Sequence, residues 1–385
     1  MKKPLVCMIL LLAVAGIVWL IWPKLPAQAP LTAATAVIVT PAAGFDRALG
    51  PVPFSFPLDY GPHLDFQTEW WYYTGNLQTA SGAHFGFELT FFRRALLPPN
   101  ERQTRTSDMA TDQVYMAHFA LTDVQAKNFY YQEHFSRGAA GLAGATGLPA
   151  FKVWLDNWQV AQTADTSYHL KAASGDFAVD LDLKDLKGPV LQGDRGFSQK
   201  GSGAGDASYY FSQTRLQTSG TIRVRNVPST VDGFSWMDHE YSTSALSAGQ
   251  VGWNWFALQL DDGSELTVYT IRRSDGSIDP YSRGMIVHKD GTTVSLTAKD
   301  FKIQTNATWK SLGSKAVYPA QWTVEVPGEN LLLNVTPYIQ DQELRVSFIY
   351  WEGAVKIEGN LDGVQVSGSG YVELTGYAQS LEGQF

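Results

Sequence analysis

The sequence predicts an all-β protein of two barrel-like halves, on three observations. Apolar and polar residues alternate with a period of two: Phe177, Val179, Leu181 and Leu183 are interleaved with Ala178, Asp180, Asp182 and Lys184, and Phe85, Phe87, Leu89 and Phe91 with His84, Gly86, Glu88 and Thr90. That period is the mark of half-buried strands. Turn signals separate the runs at Asp261-Asp262-Gly263, Asp275-Gly276, Asp290-Gly291 and Asp362-Gly363, where type I′ hairpin turns are expected. An internal echo supplies the third observation. Trp71-Tyr72-Tyr73 leads to Leu77, a turn at Ser81-Gly82 and a return from Phe85 to Arg93-Arg94. Trp253-Asn254-Trp255 likewise leads to Leu260, a turn at Asp262-Gly263 and a return from Leu266 to Arg272-Arg273. Hairpins resemble one another, but two related halves account for the echo as well. No long amphipathic helix is apparent, and many short strands with tight turns indicate barrels or sandwiches.

The chain of 385 residues has 44% hydrophobic and 17% charged residues, a globular composition. Its 12 Trp, 17 Tyr and 20 Phe exceed what a core needs, so some are available to line a cavity. At the N-terminus, Lys2-Lys3 precede an apolar run from Leu5 to Trp22, followed by Lys24. This is an export leader, either cleaved near Ala27-Gln28-Ala29 or retained as an inner-membrane anchor with the remainder outside the cytoplasm. Without the three leader lysines the net charge falls from −8 to near −11, which repels nucleic acid. The one cysteine, Cys7, lies in the leader, so no disulfide or thiolate metal site is expected beyond it. The expected organisation is a leader over 1–29, a linker over 30–53, and two β domains over 54–229 and 230–385. Gly193 to Gly205, with five glycines, reads as a flexible excursion late in the first.

Four segments concentrate residues capable of chemistry: Glu69 to Tyr73, Trp236 to Tyr241, Trp253 to Phe256, and Tyr350 to Gly353. On a strand Asp238 and Glu240 share one face and His239 takes the other. Two neighbouring carboxylates repel when both are ionised, so one is expected to have a raised pKa, which makes it either a protonated donor to a ligand or a partner for a basic residue such as Arg93 or Arg272. Asp238, His239 and Glu240 are therefore candidate catalytic residues, or else a polar knot joining the two halves. Glu69, Trp71, Tyr73, Trp236, Tyr241, Trp253, Trp255 and Tyr269 are candidate ligand contacts, or else core. Glu69, Trp71 and Trp253 are expected to border the same pocket as the knot.

Other chemistries fail on pattern. There is no Gly-x-Ser-x-Gly elbow. The seven histidines show no tight ligand spacing, so no metal is expected. The Gly201-Ser-Gly203-Ala-Gly205 stretch lacks the context of a phosphate loop. No cofactor is implied.

Thr68-Glu-Trp-Trp-Tyr-Tyr-Thr-Gly75, Phe85 to Arg94, Trp236-Met-Asp-His-Glu-Tyr241, Gly252-Trp-Asn-Trp255, Leu258 to Gly263, Tyr350-Trp-Glu-Gly353 and Gly370 to Gly376 resemble the AttH/CrtC-type lipocalin-like family, which includes carotenoid hydratase and secreted proteins termed predicted hydrolases. The resemblance spans about residues 54 to 385. It implies two lipocalin-like barrels with a hydrophobic pocket, and in the secreted branch an association with an ABC transporter permease. The His239-x-Tyr241 pair matches the hydratase branch. That branch's Tyr-x-Asp is incomplete here, because Tyr269 is followed by Thr270 and Ile271. The leading expectation is an exported binder of a hydrophobic, lipid- or isoprenoid-like molecule. The alternative is a hydratase, isomerase or lyase acting on such a molecule.

Overall fold

The computed structural model describes residues 43–104, 106–244 and 246–383. The leader expected over 1–29 and most of the linker expected over 30–53 lie outside the described residues. Among the described residues the regular structure is strand, with three short 3₁₀ turns at Leu58–Tyr60, Pro99–Glu101 and Pro327–Glu329. Among the described residues no helix is long and apolar enough to cross a membrane.

Two antiparallel sheets form, each curled into a nearly closed barrel. In the first, strand Thr68–Gln78 pairs with His84–Ala95 on one side and with Val227–Ser242, the last strand of that sheet, on the other. In the second, Gln250–Leu260 pairs with Glu265–Arg273 and with the last strand, Val364–Leu374. The two echoing hairpins thus occupy equivalent places, each joining the start of its sheet to the end. The sheets part between Ser242 and Gln250. The boundary expected at 229/230 falls instead inside the hairpin of Ala207–Val224 with Val227–Ser242, whose strands pair from Ser208↔Ser242 to Val224↔Val227.

Of the four Asp-Gly turns, only Asp362-Gly363 has both residues in the left-handed region, at φ 51° and 81°. The type I′ expectation for the other three is corrected. Their loops are longer, and Asp262, Asp275 and Asp290 each accept the backbone N–H two residues on, at 2.9 Å. The aspartate side chain, rather than a left-handed aspartate backbone, makes those turns. The glycine-rich excursion is strand-paired at Phe197–Gln199 against Ala207–Tyr209, which carries Lys200 inward.

Alternation assigns two faces to each strand. Phe177, Val179, Leu181 and Leu183 fill the first barrel while Asp180, Asp182 and Lys184 are exposed. The Phe85–Phe91 run behaves differently, since its polar alternates His84, Glu88 and Thr90 are buried too. The second barrel covers that face. Tyr72 and Trp236 of the first barrel cluster there with Trp255, Ala257, Tyr269, Ile271, Ala354 and Tyr371 of the second. Polar ties reinforce the contact: Asn76 donates to the Gly370 carbonyl at 3.0 Å, and Gln259 donates to the Thr214 and Ser235 carbonyls at 2.7 and 3.0 Å. Gly86 is a point of close approach, because a Cβ there would lie 2.5 Å from the Ala354 Cβ. Gly86→Leu is expected to lower the urea midpoint by about 1–3 kcal/mol of stability. An unchanged midpoint would show that the two faces are not pressed together at this point.

Candidate active site

The covered faces do not meet everywhere. Between the barrels lies a cavity of about 140 Å³. Alternation aims aromatic residues into it from both sides: Trp70, Tyr72, Phe92 and Tyr210 from the first barrel, and Trp253, Trp255, Tyr269 and Tyr350 from the second. Amid these rings stand Asp238, Glu240, Glu352 and Glu373.

Asp238 accepts hydrogen bonds from Trp236 Nε1 at 2.7 Å, Tyr210 Oη at 2.7 Å and Ser212 Oγ. Trp255 Nε1 donates in turn to Tyr210 Oη at 3.2 Å. Burial pushes the Asp238 carboxyl up to about 7, against the pull of those donors. Burial also lifts Glu373 to about 8, with a Trp253 hydrogen bond opposing and the charges of Asp238 and Glu240 assisting. Glu352 is raised by burial and by the neighbouring Glu373 and Glu88, although Tyr72 Oη donates to its Oε1 at 2.6 Å. Glu88, just behind, is raised for the same reasons and is hydrogen-bonded by Thr90. Glu240 differs, because the Lys200 ammonium stands 3.1 Å away and 4.2 Å over the Tyr269 ring. The site is therefore an apolar chamber whose burial pushes several carboxyl groups toward the protonated form, with one ion pair at its side.

The sequence-derived candidates divide between the two faces. Asp238, Glu240, Trp253, Trp255 and Tyr269 line the cavity, and Trp236 stands behind Asp238 as its donor. Glu69, Trp71, Tyr73, His239 and Tyr241 point the other way, into the first barrel. The expectation that Glu69 and Trp71 border the pocket is corrected, since each is one residue out of phase with the Trp70–Tyr72 face. The expected basic partner is likewise neither arginine: Arg93 pairs with Glu69, Arg272 stacks on Tyr377, and Lys200 serves the knot. Sequence reasoning placed Trp70, Tyr72 and Glu352 in chemistry-bearing segments without choosing them as site residues, and missed Lys200, Tyr210 and Glu373 altogether.

The inward face builds a second polar cluster. Glu69 accepts from His239 Nε2 at 2.8 Å, His63 Nδ1 at 2.9 Å and Arg93 Nε at 2.8 Å. Burial alone would raise Glu69, but Arg93 and the two histidines outweigh it and hold the carboxylate well below the usual range. His63 also bonds Asp59 at 3.1 Å and stacks on Tyr241 at 3.6 Å. His63, Glu69 and His239 bring ligand atoms within 4.8 Å of one another, a spacing a metal ion can use. Arg93 already supplies the positive charge at that carboxylate, and a second cation beside it would be repelled. The arrangement fits a charge network that ties the segment holding Asp59 and His63 to the barrel wall.

Fold and pocket together define a lipocalin-like two-barrel protein with an acidic, aromatic-lined chamber between its barrels. The chain belongs to the AttH-like family, whose model matches residues 47–377. It is similar to a Nitrosomonas europaea protein described as an AttH, at 35% identity and TM-score 0.76, over 86% of this chain and all of that one. Kievitone hydratase from Nectria haematococca shares the fold at 14% identity and TM-score 0.66, over 87% of this chain and 98% of that one. CghA, solved with Sch210972, shares it at 12% identity and TM-score 0.52, over 91% and 97%. No curated protein matches the sequence.

Proposed function

We propose that the protein binds an apolar, unsaturated small molecule of isoprenoid-like character between its barrels and acts on it by proton transfer, as a hydratase or isomerase. One observation carries this reading: Asp238, raised to about 7, faces a chamber walled by Trp70, Trp253 and Trp255. Adding water to an alkene needs a neutral acid in an apolar site and aromatic faces for the cation that follows. Asp238 gives its proton to one alkene carbon, leaving a cation on the other and a carboxylate on itself. Water adds to the cation and then loses a proton to a base at the chamber wall, and Asp238 regains its own proton from solvent, so no net proton is gained or lost. That a fold neighbour is a hydratase supports the reading. A carrier needs only the aromatic walls and has no use for buried acids. The leader pattern of Lys2-Lys3 and Leu5 to Trp22 supports the activity lying outside the cytoplasm.

The test is incubation of the purified protein with a panel of acyclic isoprenoid alkenes in isotope-labelled water, read by mass spectrometry. Uptake of labelled oxygen as an alcohol, or of solvent hydrogen into a shifted alkene, is the expected result. Bound alkene recovered unchanged and unlabelled across the panel would leave a carrier in place of an enzyme.

A further inference from the structure

Tyr350 lines the chamber on the strand Ile349–Leu361 of the second barrel. Its hydroxyl lies 2.8 Å from Nδ1 of His118, which belongs to the first barrel. His118 is fully buried and caged by the rings of Phe92, Phe348 and Tyr350 at 5.3, 5.1 and 5.6 Å. Its other nitrogen, Nε2, lies 3.0 Å from Oε1 of Glu133, the residue directly opposite it on the adjacent strand. Ser347 Oγ donates to the same oxygen at 2.5 Å, and the Ser347 backbone N–H approaches it at 3.2 Å. The Glu133 side chain is 15% exposed, so the line begins in the chamber and ends at solvent.

The chemistry of the donors fixes the direction of each bond. Burial works against the Glu133 charge, but the His118 and Ser347 hydrogen bonds outweigh it and hold the carboxylate below its usual range. An ionised carboxylate only accepts, so Nε2 of His118 carries hydrogen. In the neutral imidazole Nδ1 then offers a lone pair, to which the Tyr350 hydroxyl donates. This is the order of groups in a nucleophile–histidine–acid triad, with a phenol in the first place.

We propose that Tyr350, His118 and Glu133 form a proton relay linking the inter-barrel chamber to solvent, with Tyr350 as the group that meets the substrate. The proposal rests on the reading of the chamber as a proton-transfer site. In the step it serves, the Tyr350 oxygen takes a proton from the water adding to the substrate cation as its own proton passes to His118 Nδ1. The resulting imidazolium is balanced by the Glu133 carboxylate, and the Nε2 proton leaves through Glu133 to solvent. Concerted transfer avoids a free phenolate, which the burial of Tyr350 opposes by pushing its hydroxyl well above the usual range. Tyr350 is thus a catalytic residue, and His118 and Glu133 act through it.

Carbon-labelled tyrosine reports hydrogen–deuterium exchange at the Tyr350 hydroxyl by NMR, and nitrogen-labelled histidine reports the His118 tautomer. Both are read on the native protein without substrate, so they stand or fall separately from turnover. The Nε2–H tautomer is expected, with Tyr350 exchange slowed at least about tenfold, or ~1.4 kcal/mol in barrier, by Glu133→Gln and by His118→Gln. Tyr350→Phe should leave the tautomer unchanged. An Nδ1–H tautomer in the native protein would overturn the relay. So would an exchange rate indifferent to both substitutions, which would leave these bonds as ties between barrels.

Discussion

Asp238→Asn is expected to abolish turnover, with a loss of about 10²–10⁴-fold, while ligand affinity stays within about tenfold, roughly 1.4 kcal/mol. Asparagine closely copies the shape of a protonated aspartate. Its oxygen can still accept from Trp236 and Ser212, and its amide can donate toward Tyr210, so the chamber keeps its form. What it lacks is a transferable proton. A variant that still turns over would move the acid role to Glu352 or Glu373. A variant that loses stability without losing activity per folded molecule would leave Asp238 as a structural knot.

The same substitution has a second readout, in stability against pH. Asp238 rises from 3.8 to about 7 on folding and Glu373 from 4.5 to about 8. The folded chain therefore holds protons that the unfolded chain has released. Stability from these two groups is complete below about pH 4 and is lost as pH climbs through about 7 to 8. The urea midpoint of the native protein should fall across that window. In Asp238→Asn the fall should be shallower, because one of the two groups no longer titrates. Equal slopes in both proteins would show that Asp238 is not raised by burial.

Arg93→Met is expected to cost about 3–5 kcal/mol, because it leaves the fully buried Glu69 carboxylate without its counter-charge. Arg93 does more than pair with Glu69. Its guanidinium also donates to the His63 and Phe66 carbonyls, both at 2.9 Å, and to Gln113 at 2.8 Å. Removing it strips four acceptors at once and frees the segment carrying Asp59 and His63. The loss should appear as a lower urea midpoint. It should grow with pH above the ordinary carboxylate range, where Glu69 must remain charged or bind a proton at cost. A loss under about 1 kcal/mol would mean that Glu69 is adequately satisfied by His63 and His239 alone.

Much of the molecule was legible before folding. The all-β class followed from alternation, the doubling from the Trp71 and Trp253 hairpins, and the separation of Asp238 and Glu240 from His239 from strand geometry. The face on which chemistry is carried was not legible. In Glu69-Trp70-Trp71-Tyr72-Tyr73 both alternating sets are aromatic, so periodicity marks two apolar faces without ranking them. Trp71 and Tyr73 proved to be barrel core, and Trp70 and Tyr72 chamber wall. The reading of 193–205 failed similarly, since glycine content shows freedom of backbone but not the strand pairing that delivers Lys200 to Glu240.

What the sequence by itself determined is local: which residues alternate, where the chain turns, and that the chain beyond its apolar N-terminal run is acidic and free of cysteine. Those properties depend on neighbours a few positions apart. The tertiary structure alone decided which carboxyls become acids. Asp238, Glu352 and Glu373 come from three strands of two sheets, and each is an ordinary surface acid until the opposite barrel excludes water from it. The physical reason is that desolvation depends on what covers a face, and covering is a relation between residues more than a hundred positions apart, as with Tyr72 and Glu352. The same holds for Tyr350 and His118, whose single hydrogen bond joins the two halves of the chain.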